Sequence, residues 1–104
     1  MRRSTICALG ASLLLSVSAF AAEKPQRLGL CASCHGENGH ASMPEIPNLA
    51  GQNLAYLRNA IAQYQSGKRD FPAMRAALGM LNATEIDAIA RWYAERAPVT
   101  PGAP

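Results

Sequence analysis

Cys31, Cys34 and His35 stand in the order C-x-x-C-H within "LGLCASCHGENGH", residues 28–40, and a second histidine, His40, closes the stretch. Thiols and imidazoles at this spacing serve as metal ligands, redox groups or covalent anchors. A structural zinc site needs four ligands in a tetrahedron. It would have to use Cys31, Cys34, His35 and His40, but adjacent Cys34 and His35 make that array awkward, and the distant second ligand pair of the usual zinc pattern is missing. A thioredoxin-like dithiol expects a strand before the motif and a βαβ setting, and neither is visible. A disulfide closing so tight a loop constrains little of the unfolded chain. The remaining pattern is the c-type haem attachment signature. Two thiols three residues apart on a helical turn match the two vinyl groups of neighbouring pyrroles. The histidine directly after the second cysteine then faces the iron as proximal ligand. His40 lies in a polar loop, too near the motif to reach the other haem face, and is expected in solvent.

The setting of the motif strengthens this reading. The chain opens "MRRSTICALGASLLLSVSAFAAEK": two arginines, an uncharged apolar run from Ile6 to Val17, and the small-x-small "AFA". This predicts a secretory signal peptide over 1–21, cleaved near Ala21 or Ala22. The run is short of the ~20 residues that span a bilayer, so no stable membrane anchor is expected and the mature chain is placed in the periplasm. Cys7 lacks the small residues and leucine that precede a lipoprotein cysteine. The full chain has 10 Lys+Arg against 7 Asp+Glu, or +3; without Arg2 and Arg3 the count is 8 against 7, or +1. The basic excess is thus largely a targeting feature, and nucleic acid is excluded as a partner. Three cysteines become two, both in the C-x-x-C, in a compartment that permits oxidation.

The mature chain is one small domain, 22–97, with a tail, 98–104, expected to be disordered. A core of this size alone supplies only ~3–5 kcal/mol, and aromatic residues are scarce at 6% of the chain, so a cofactor is expected to fill the middle. No alternating run suggests strands. Residues 26–35 read as a short helix after Pro25. "GENGHASMPEIPNLAGQ", 36–52, is a long irregular loop, and such loops in small domains are usually functional. Asn53 caps the next helix, whose stripe is Leu54, Leu57, Ile61 and Tyr64, ending at Gly67. Residues 68–81 read as a turn and a short helix. Asn82 and Glu85 form a capping box for a last helix, 83–96, burying Ile86, Ile89, Ala90 and Tyr93 with Trp92 beside them.

Beyond the motif, "CASCHGENG", "IPNLAGQNLAYLRNAIAQYQSGKR", Met74 and "LNATEIDAIARWYAE" occur in order and cover nearly all of 28–96. In this the chain resembles the class I c-type cytochromes, most of all one haem domain of the cytochrome c₄ group and its monohaem relatives. The resemblance implies an all-α, cytochrome c-like fold of three to four short helices around one covalently bound haem c. Cys31 and Cys34 would be the thioether anchors, His35 the proximal and a methionine the distal iron ligand. Family spacing, seven residues before Leu81, favours Met74. Met80, beside the cap of the last helix, reads as core packing, and Met43 as cover for the haem edge. Pro47, twelve residues after His35, would accept the bond from its Nδ1–H, while Leu49 and Tyr56 match haem-packing positions. Few mature residues precede Cys31, so Leu28, Gly29 and Leu30 would have to make the family's crossing with Trp92 or Tyr93. Lys68 and Arg69 either pair with a haem propionate or stay solvated.

With histidine and methionine both bound, the iron has no free site, which describes an electron carrier rather than an enzyme. The expected partners are redox proteins that dock briefly over the haem edge through less than ~1,200 Å². An alternative is the electron-accepting cytochrome subunit of a larger periplasmic oxidoreductase. A third reading, a five-coordinate haem that binds gas or peroxide, requires that Met74 not bind iron.

Overall fold

The computed structural model describes residues 4–16 and 23–100. The expected cleavage point near Ala21 and the end of the tail, 101–104, lie outside the described residues. Four helices follow in order: α1 Gly29–His35, α2 Leu54–Ser66, α3 Pro72–Gly79 and α4 Ala83–Ala94. No strand occurs among the described residues, and the fold is all-α as expected.

Local chemistry accounts for most helix ends. Asn53 accepts from the Tyr56 amide at 3.0 Å and starts α2. The capping box of α4 is complete: Glu85 N–H donates to Asn82 at 2.8 Å and Asn82 N–H donates to Glu85 at 2.9 Å. α3 begins with Pro72 in its first turn, where the missing N–H is harmless. α1 stops at Gly36, whose φ of +79° few other residues adopt.

Two boundaries differ from the expected ones. α1 starts at Gly29 rather than residue 26, because residues 26–28 form a tight turn closed by Leu28 N–H to the Pro25 carbonyl at 3.1 Å. α4 ends at Ala94 rather than residue 96. There the chain is drawn to the 36–52 loop: Gly51 N–H donates to the Tyr93 carbonyl at 3.0 Å, and His40 Nε2 donates to the Ala97 carbonyl at 3.1 Å. Arg96 folds back over Trp92, 3.8 Å from the ring centre.

The core is Leu28, Leu57, Ile89, Ala90, Trp92 and Tyr93, with Leu49, Leu54, Ile61 and Leu81 packed against it. The expected N-terminal crossing is made by Leu28, which is 1% exposed. Gly29 takes no part: it is exposed, and a Cβ there would meet nothing within 4 Å. Leu30 is half-buried on a cavity wall. Met80, expected in the core, is 59% exposed. α3 ends one residue earlier, so Met80 falls in the turn before α4, and the neighbouring Leu81 does the packing. Residues 4–16 form no helix, and Ile6, Leu9, Leu13, Leu14 and Leu15 are all exposed. No helix among the described residues is long and apolar enough to cross a membrane.

Candidate cofactor site

One helical turn brings Cys31, Cys34 and His35 onto one face of α1, since positions i, i+3 and i+4 stack on a helix. All three line a cavity of about 410 Å³, a volume typical of ligand sites. Its walls are mostly apolar: Leu49 from the loop, Leu57 and Ile61 from α2, Leu78 from α3, and Ile86 and Ile89 from α4. Both thiols are free, and burial raises the Cys31 thiol above its ordinary pKa.

His35 is only 7% exposed, and its Nδ1 lies 2.9 Å from the Pro47 carbonyl oxygen. A carbonyl can only accept, so Nδ1 carries the proton and Nε2 keeps its lone pair for a metal. Pro47 is held in place by its own loop. Leu49 and Ala50 N–H donate to the Gly39 carbonyl at 2.8 and 3.1 Å, and Ala41 N–H donates to Asn48 Oδ1 at 2.8 Å.

The three candidate methionines, Met43, Met74 and Met80, separate cleanly. Met74, on the first turn of α3, lines the cavity. Met43 and Met80 are not on its walls and are 45% and 59% exposed. Leu49 and Tyr56 both line the cavity, Tyr56 half-exposed at its mouth. His40 is exposed as expected, although its ring ties the loop to the chain after α4.

Arg69 and Lys68 part company. Arg69 lies on the cavity wall, its guanidinium 5.9 Å from the Tyr56 ring centre and 5.6 Å from that of Tyr64, with Nε donating to Gln63 at 2.7 Å. Lys68 is exposed and off the wall. The cation at the mouth is therefore Arg69 alone of the two. The available signal was the i, i+8 spacing of Tyr56 and Tyr64 on one face of α2, followed by a turn at Gly67 that returns the chain to that face. Sequence reasoning also missed the polar ends of Trp92 and Tyr93, which donate to the Glu37 and Gly36 carbonyls.

The donor set suits a haem: two free thiols at vinyl spacing, an imidazole with a bare Nε2, and a thioether from a second helix, around an apolar hollow. The sequence profile of the family described as cytochrome c oxidase, cbb3-type, subunit III matches residues 26–92. The chain belongs to this family of c-type cytochromes. It is 30% identical over 93 residues to cytochrome c4 of Pseudomonas aeruginosa, covering 89% of this chain and 46% of that one. To cytochrome c-554(548) of Halomonas halodenitrificans it is 41% identical over 49 residues, 47% of this chain and 59% of the other. To the thiosulfate dehydrogenase electron acceptor of Stutzerimonas stutzeri it is 33% identical over 91 residues, 77% of this chain and 42% of the relative. The chain spans about half the length of the curated relatives it matches. As a c-type cytochrome it binds covalently attached haem c.

Proposed function

We propose that the protein is a periplasmic one-electron carrier, not an enzyme, built on a single haem c with His35 as proximal and Met74 as distal iron ligand. Cys31 and Cys34 form the thioethers, and Leu49 and Tyr56 pack the ring. Met74 carries the reading: of Met43, Met74 and Met80, it alone lines the cavity shared with Cys31, Cys34 and His35. Haem c supplies the one-electron centre, and histidine–methionine ligation raises its potential. The Pro47 carbonyl, 2.9 Å from Nδ1, fixes the His35 ring and makes its Nε2 more basic. Arg69, beside Tyr56 and Tyr64 at the mouth, receives a propionate. The signal peptide, 1–21, accounts for the five exposed apolar side chains of residues 4–16, which belong to no core.

A pyridine haemochrome spectrum of the purified protein should report one covalent haem, and its absence would end the proposal. The oxidised protein should show the weak far-red sulfur-to-iron band. Met74→Ala should abolish that band and Met80→Ala should keep it; the reverse pattern moves the ligand to Met80.

The second reading, an electron-accepting subunit of a larger periplasmic oxidoreductase, is favoured by relatives named thiosulfate dehydrogenase electron acceptor in Stutzerimonas stutzeri and Thiomonas intermedia. The half-exposed rings of Tyr56 and Phe71 at the cavity mouth suit a docking partner in either case. Native purification separates the two. A free carrier elutes as a monomer, whereas a subunit co-purifies with its enzyme.

A further inference from the structure

We propose that Tyr93 is a positioning residue for the His35–Pro47 pair and thereby sets the reduction potential of the haem. The inference rests on the reading of His35 as proximal ligand. Tyr93 sits in α4, far along the chain from both residues, yet it grips their loop at three points. Its hydroxyl donates to the Gly36 carbonyl at 2.9 Å, one residue after His35. Its ring packs against Gly39, where a Cβ would stand 3.0 Å from Cδ1. Its own carbonyl accepts from Gly51 N–H at 3.0 Å. Pro47 lies between the last two grips, and Gly39 is itself bonded to Leu49 and Ala50 just beyond Pro47. The neighbouring Trp92 adds a parallel hold, with Nε1 donating to the Glu37 carbonyl at 2.7 Å. Both members of the pair are therefore indexed to one residue of α4.

The hydroxyl has no role in filling the core, because a phenyl ring at 1% exposure would pack equally well. Burial raises its pKa far above the ordinary value, with Glu37 adding to the effect, so it remains a donor throughout the working pH range. The Gly36 carbonyl also accepts from Gly39 N–H at 3.3 Å, so Tyr93→Phe leaves it a partner. Removing the hydroxyl frees the residue after His35 to shift, and the Nδ1–H bond to Pro47 loosens. A ligand imidazole so loosened is less basic and stabilises oxidised iron less. The potential should rise.

The experiment compares wild type with Tyr93→Phe by redox titration and by proton NMR of the His35 ring. Tyr93→Phe should keep the covalent haem and the helical content. It should shift the one-electron equilibrium threefold to tenfold toward the reduced form, about 30–60 mV upward at 59 mV per decade. Exchange of the His35 Nδ1–H with solvent should quicken at least threefold. Arg58→Gln breaks an exposed ion pair away from the cavity and should leave both readouts unchanged. A wild type without covalent haem defeats the functional reading. A loaded Tyr93→Phe protein with potential and exchange both within threefold of wild type defeats this inference alone. If Tyr93→Phe does not load, Trp92→Phe takes its place, with the same upward sign expected and the same null result overturning the idea.

Discussion

Gly39 shows how closely single residues of the 36–52 loop are constrained by the site. Its φ is +78°, and a Cβ would stand 2.5 Å from the Ala50 amide nitrogen and 2.9 Å from Ala50 Cα. Neither backbone atom can move away, because Ala50 N–H is already bonded to the Gly39 carbonyl. The left-handed conformation costs about 1–2 kcal/mol for alanine, and overpacking adds about 1–3 kcal/mol. Gly39→Ala should therefore lose ~2–5 kcal/mol in urea unfolding of the haem-loaded protein. A loss under ~1 kcal/mol would mean the loop yields more readily than its bonds imply. The same loop separates what could be read from sequence at this scale. Cys31, Cys34 and His35 were legible because their chemistry is set by spacing within one helical turn. The Pro47 bond came through family resemblance. The hydroxyl of Tyr93 and the indole of Trp92 were legible only as apolar surface, since their partners lie 57 and 55 residues away.

At the scale of the helices, caps and stripes spoke most clearly. α2 and α4 announce themselves through Asn53 and Asn82 and through apolar faces that the fold buries. α3 was blurred because its first flank, Phe71, makes no side-chain cap, leaving Pro72 as the main start signal. The end of α4 was misread because tertiary bonds from Gly51 and His40, invisible locally, pull the chain away. Asn82→Ala should lower stability by ~1 kcal/mol in thermal unfolding, since Glu85 N–H loses its side-chain acceptor while the N–H of residue 82 keeps its bond to the Glu85 carboxylate. A second test concerns Asp87, which joins α4 to α2 by pairing with Arg58 and Arg91, each at 2.8 Å. The hydrogen bonds from Arg58, then Arg91, lower the Asp87 carboxyl from 3.8 to about 2. Because the folded value is the depressed one, its contribution is complete above the unfolded value and fades as pH falls toward 2. The stability gap between wild type and Asp87→Asn should be open from neutral pH down to about pH 4 and closed near pH 2. Added salt should narrow it, because the pair is exposed. A gap that persists at pH 2 would assign it to packing instead.

For the whole molecule, the decisive quantity is the hollow at its centre. An unfilled cavity costs roughly 24 cal/mol per Å³, so about 410 Å³ amounts to something on the order of 10 kcal/mol, an upper bound because part of it opens to solvent. A domain of this size has only ~4–12 kcal/mol in total, at 0.05–0.15 kcal/mol per residue. The six-residue core draws only on α2, α4 and Leu28 just before α1, with no residue of α3, and is too small to offset much of that deficit. The helices that carry Cys31, Cys34, His35 and Met74 should therefore hold their arrangement only around haem c. The shortage of aromatic side chains in the sequence already pointed this way, although it could not say where the hollow lies. Cys31→Ala with Cys34→Ala, which removes both covalent anchors, should yield protein that loses most of its helical circular dichroism and its cooperative thermal transition when haem is extracted. Wild type, whose haem cannot be extracted, should keep both. If the extracted variant still melts cooperatively with near-wild-type helicity, the core around Leu28, Leu57, Ile89 and Tyr93 suffices by itself, and the cofactor only occupies a pocket that the chain builds unaided.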